Sequence, residues 1–85
     1  MDSNEIRKQI HEYIVENFLF GDDAGLESDE QSFLESGLID STGILELIQF
    51  LEESFDIEIE DEEMIPENLD SIARVTRFVG SKVEG

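Results

Sequence analysis

Apolar positions along the chain fall into three helix-period stretches separated by two polar ones. Ile6, Ile10, Tyr13, Ile14 and Phe18 recur at the three-and-four spacing that places side chains on one helical face. Asp2, Ser3 and Asn4 precede them as candidate N-caps, so the pattern predicts a first helix that ends near Gly21. A second stripe, Ile44, Leu47, Ile48, Leu51 and Phe55, predicts helix from Ser41 to Phe55, and the opposite face of that helix reads Thr42, Leu45, Glu46, Gln49, Glu52 and Glu53. Ile72, Val75, Phe78 and Val79 mark a last helix, capped by Asp70 or Ser71 and frayed beyond Gly80.

The intervals between these stripes carry less periodic information. Residues 21–40, "GDDAGLESDEQSFLESGLID", predict a connection anchored at Leu26, Phe33, Leu34, Leu38 and Ile39. A connection of that length is packed onto the body or functional. "DIEIEDEE" alternates at Ile57 and Ile59 as a strand would, but no second strand-like segment exists to pair with it, so it is expected to be an extended connector. Pro66 forbids a continuous helix through "EDEEMIPENL" and leaves room for a turn or two. Three longer helices and one short one make an all-α fold, a small four-helix bundle, in one domain over residues 1–85.

Charge narrows the partners. Five Lys and Arg against 23 Asp and Glu leave a formal charge of −18. Arg7, Lys8, Arg74, Arg77 and Lys82 are all of the basic residues, so 9–73 is almost purely anionic. Such a chain repels nucleic acid and anionic membrane and attracts basic protein surfaces. It has no cysteine, hence no disulfide framework and no thiolate metal site. The N-terminus is charged and periodic, without the apolar core of a signal peptide, and no apolar run approaches membrane-spanning length. A cytoplasmic monomer is expected.

The candidate chemistry lies in "GLIDSTG", residues 37–43, where the second helix begins. A hydrolase elbow needs glycine two residues before and two after its serine, and position 39 is Ile. The only histidine, His11, belongs to the first helix, so Ser41 has no evident base. "DSTG" matches an aspartic protease segment only superficially, since that chemistry needs a pair of such aspartates. "DDAGLESDEQSF" and "DIEIEDEEMIPE" lack the alternating ligands, central glycine and closing Glu of an EF-hand, and no dedicated metal site is expected. No residue is assigned a catalytic role. Taken alone, Asp40 and Ser41 read as the N-cap and first residue of a helix. A helix start also offers unpaired N–H groups and the positive end of the helix dipole, which suit a phosphate held on Ser41.

"GLIDS" before the second helix, "LELIQFLEESFDIEIEDEE" after it and "LDSIARVTRFV" as the closing helix resemble the acyl carrier proteins, the phosphopantetheine-binding family that includes peptidyl and aminoacyl carriers. The resemblance covers nearly the whole chain. It implies a 4'-phosphopantetheine arm on Ser41, installed from coenzyme A by a separate phosphopantetheinyl transferase, whose terminal thiol carries an acyl or aminoacyl group as a thioester. Asp40 then matches the aspartate of the family's Asp-Ser signature, expected to cap the helix and meet the transferase. Thr42, Leu45, Glu46, Gln49, Glu52 and Glu53 match the family's recognition surface, offered to ligases or synthases with basic docking patches. Many fatty-acid carriers have leucine after the serine, where this chain has Thr42 and then Gly43. That departure implies a specialised carrier in fatty-acid, polyketide, secondary-metabolite or aminoacyl-transfer chemistry. Gly43 implies either tolerance of glycine in the first turn or a close approach beside the arm. The other reading the residues allow is an acidic interaction module or calcium-responsive adaptor in which Ser41 is only part of a cap.

Overall fold

A computed structural model describes residues 2–19, 21 and 26–84. The described residues form five α-helices and one 3₁₀ turn and contain no strand. Helix α1 spans Ser3–Phe18, and Asp2 caps it by accepting the Asn4 N–H. Its stripe Ile6, Ile10 and Ile14 is fully buried. Residues 22–25 of the predicted connection lie outside the described residues.

Within that connection the structure contains a helix that the hydrophobic pattern does not predict: α2, Phe33–Ser36. Four residues are too few for a period to show, so the expectation of a plain connection is corrected by the caps at its ends. The Ser32 hydroxyl accepts the Glu35 N–H, and Gly37 ends the helix in the left-handed region at φ 76°. Glycine reaches that φ without the Cβ penalty of other residues. The turn delivers Ile39 into the core, where it is 1% exposed, and sets Asp40 at the start of α3, Ser41–Phe55.

After Asp56 closes α3, residues 57–60 belong to no helix or strand, Glu60 is extended, and Asp61–Glu63 make a 3₁₀ turn. Helix α4, Pro66–Leu69, places Pro66 where a missing N–H costs nothing. Helix α5 spans Ile72–Glu84, and here a second expectation is corrected, because the helix continues through Gly80 instead of fraying there. Gly80 faces Ile6 of α1, and Lys82 binds the Glu63 carboxylate and the Glu58 carbonyl, so the last turn is held at two points. Ser71 caps α5 by accepting the Arg74 N–H at 3.1 Å.

Helix α5 packs against α1, α3 and α4, which makes it the common wall of the core. Ile72, Val75 and Val79 of α5 meet Leu47 and Leu51 of α3 and the isoleucines of α1 in one buried cluster closed by Phe33, Ile59 and Leu69. Two polar ties hold the irregular segments to this frame. Arg7 makes a bidentate pair with Asp29, which lowers the carboxyl's pKa chiefly through the side-chain hydrogen bond. Asp70, 8% exposed, accepts from the Ser32 hydroxyl and from the Leu34 N–H at 3.0 Å, and its carbonyl accepts the Phe33 N–H at 2.8 Å. That carboxylate pins α2 to the α4–α5 corner.

Candidate functional site

Asp40, Ser41, Thr42 and Gly43 form the first turn of the 15-residue α3. Asp40 is extended, and its side chain accepts the Gly43 N–H at 2.8 Å while its carbonyl accepts the Ile44 N–H at 2.9 Å. An N-cap of this kind contributes about 1 kcal/mol. Ser41 follows as the first helical residue and is exposed. Ser41 and Thr42 have no carbonyl four residues earlier within the helix to receive their N–H groups. Gly43 is buried, and a Cβ at that position would stand 2.6 Å from Ile39 Cγ2 and 2.9 Å from Phe18 Cε1. Glycine is therefore required by a close approach of α3 to the end of α1 and to Ile39.

The chain's second Asp-Ser pair is arranged differently. Ser71 is 2% exposed and Asp70 turns its carboxylate toward α2. The Ser71 hydroxyl is not available at the surface, whereas that of Ser41 is. His11 stands on α1 within electrostatic reach of Asp29, not in the first turn of α3. Among the described residues no group of three or more His, Asp or Glu side chains is arranged to hold a metal ion.

Thr42, Leu45, Glu46, Gln49 and Glu53 are exposed along the outer face of α3, Leu45 to 62%. Glu52 is half-buried and its carboxylate accepts the Ile59 N–H at 3.0 Å, fastening the connector to the helix. Beside the first turn, Leu34, Ile44, Met64, Ile65, Pro66 and Leu69, with Asp70, line a groove of about 80 Å³. Ile44, predicted to point inward, is half-buried because it forms one wall of that groove.

Sequence reasoning missed two features near the site. Phe50 belongs to neither predicted face of the helix, yet its ring stacks on that of Tyr13 with centroids 4.0 Å apart. Asp70 appears in the sequence only as a cap candidate, and its partners are 36 and 38 residues away. A lone apolar residue flanking a stripe, and an acid with a distant partner, leave no local signal.

The fold is a small all-α bundle in which Ser41 is exposed at the N-terminus of an acidic helix and His11 stands on another helix. No protein-family model matches the chain. An acyl carrier protein from Akkermansia muciniphila is 37% identical to it over 89 aligned positions, covering all of both chains. The chain belongs to the acyl carrier protein family, and its function is that of a carrier. No helix among the described residues is long and apolar enough to cross a membrane.

Proposed function

We propose that Ser41 carries a 4'-phosphopantetheine arm, installed from coenzyme A by a phosphopantetheinyl transferase. The observation that carries this reading is the position of Ser41, exposed at the first residue of α3 beside the capping Asp40, in a chain related over its full length to an acyl carrier protein. The residues fit the group. A phosphodiester on Ser41 meets the unpaired N–H groups and positive dipole end of α3, and Asp40 has already taken the Gly43 N–H, so the helix start is rigid before modification. The arm supplies a terminal thiol that holds an acyl or aminoacyl group as a thioester, in a chain with no cysteine of its own.

The chain's own residues present and position. Asp40 and Gly43 fix the first turn, and Ile39 in the core prevents it from unwinding. Thr42, Leu45, Glu46, Gln49 and Glu53 form the docking face for the transferase and for ligases or synthases with basic patches, and Glu52 supports that face from its bond to Ile59. The groove beside the first turn, about 80 Å³, is far smaller than the roughly 300 Å³ or more of a ligand pocket. A long cargo is therefore not enclosed in that groove. With Thr42 and Gly43 after the serine, the reading favours a specialised carrier in fatty-acid, polyketide, secondary-metabolite or aminoacyl-transfer chemistry, acting in the cytoplasm.

Incubation with coenzyme A and a broad-specificity transferase, followed by intact mass, tests the reading. One phosphopantetheine per wild-type chain and none on Ser41→Ala is the expected result. An unmodified wild type under conditions that modify a known carrier would leave an acidic interaction module instead.

A further inference from the structure

We propose that Tyr13 and Phe50 form an aromatic ledge, spanning α1 and α3, that receives an arginine side chain of a basic docking partner. The inference deepens the docking reading, on which it rests for the presence of such a partner, and adds α1 to a face otherwise confined to α3. The two rings are stacked at 4.0 Å and 13°, and both remain partly open to solvent. Phe18 and Phe55 brace them edge-on at 5.9 and 6.3 Å, so the ledge is held from behind. In front lies a shallow cleft of about 210 Å³ lined by Gln9, Glu12, Tyr13, Glu16, Asn17 and Phe50.

The chemistry of this cleft selects its occupant. Aromatic faces attract cations, and a guanidinium stacks on them better than an ammonium because it is planar and weakly hydrated. Glu12 and Glu16 stand in the same cleft and Glu46 is close enough to raise the Tyr13 pKa, behind the larger effect of burial. Among the described residues no Lys or Arg lines the cleft. A flat cation flanked by carboxylates matches it, and an anionic or purely apolar ligand does not.

Tyr13 is the chain's single tyrosine and there is no tryptophan, so intrinsic fluorescence reports on the ledge alone. The apo chain is titrated with tetra-arginine and with tetra-lysine peptides, and backbone amide shifts are followed in parallel. The expected result is a saturable change in Tyr13 emission, about two- to fivefold tighter for arginine. Amide shifts should reach Gln9, Glu12, Glu16 and Asn17. Phe50→Leu keeps an apolar side chain and is expected to abolish the arginine preference while lysine binding persists. Glu12→Gln with Glu16→Gln is expected to weaken both peptides. Equal affinities in the wild type, or shifts confined to residues 42–53, would overturn the proposal, and the amide map decides even if Phe50→Leu folds poorly. None of these readouts depends on Ser41, so failure here is distinguishable from failure of the arm assignment.

Discussion

The two glycines inside helices, Gly43 and Gly80, respond oppositely to alanine. Replacing a helical glycine by alanine ordinarily stabilises by about 0.5–1 kcal/mol, because alanine loses less backbone freedom on folding. At Gly80 a Cβ would find Ile6 Cδ1 at 4.0 Å, an ordinary contact, so the full gain is expected. At Gly43 the same atom would lie 2.6 Å from Ile39 Cγ2 and 2.9 Å from Phe18 Cε1, with Asp40 Oδ1 at 3.4 Å. Ile39 is 1% exposed and its γ-methyl sits next to the backbone, so it cannot swing aside without moving the chain. Overpacking of this kind costs about 1–3 kcal/mol, which exceeds the helix gain and leaves Gly43→Ala about 1 kcal/mol less stable. For a domain of this size that lowers Tm by about 4–8 °C, while Gly80→Ala raises it by several degrees. Thermal melts by far-ultraviolet circular dichroism, with urea titrations to check that the m-value is unchanged, measure both. If Gly43→Ala melts at or above wild type in the experiment where Gly80→Ala is stabilised, the close approach of α3 to Ile39 and Phe18 is not rigid and the account of Gly43 is wrong.

Asp70→Ala strands the Ser32 hydroxyl and the Leu34 N–H, and is expected to cost about 1–3 kcal/mol, read as a lower urea midpoint and faster hydrogen exchange in α2. Reversal to lysine should separate the acids of α3: Glu52→Lys loses the bond to the Ile59 N–H and lowers Tm, whereas Glu46→Lys and Glu53→Lys leave Tm unchanged or higher and slow the transferase. The Asp29 and Glu63 carboxyls are held below their usual pKa, first by the hydrogen bonds from Arg7 and Lys82. A depressed folded-state pKa stabilises above the unfolded-state value, so this contribution is complete at neutral pH and is lost as pH falls below about 4. Arg7→Met together with Lys82→Met should therefore flatten the acid limb of the stability curve below about pH 4 relative to wild type.

The long helices were legible because each buries a stripe that repeats over several turns: Ile6, Ile10 and Ile14 carry α1, and Leu47, Ile48, Leu51 and Phe55 carry α3. The start of α3 was legible too, since Asp40 caps locally through the Gly43 N–H. What escaped depends on partners far along the chain. Helix α2 is only one turn long and is held by Asp70, and the end of α5 stays helical through Gly80 because Lys82 reaches Glu58 and Glu63. The sequence allows two explanations of Gly43, and the close approach is to Phe18 and Ile39, side chains whose convergence no spacing in the sequence reveals.

The proposed arm on the exposed serine of the first turn of α3 bears a thioester. This is tested most directly by loading the chain from acetyl-coenzyme A with a broad-specificity transferase, treating the product with neutral hydroxylamine, and mapping the adduct by fragment mass spectrometry before and after. The acetylated arm is expected to map to Ser41, with Ser71 unmodified, and hydroxylamine is expected to release the acetyl group while the arm stays on Ser41. An adduct at Ser71, or an acetyl group that resists hydroxylamine as an oxygen ester would, contradicts the proposal.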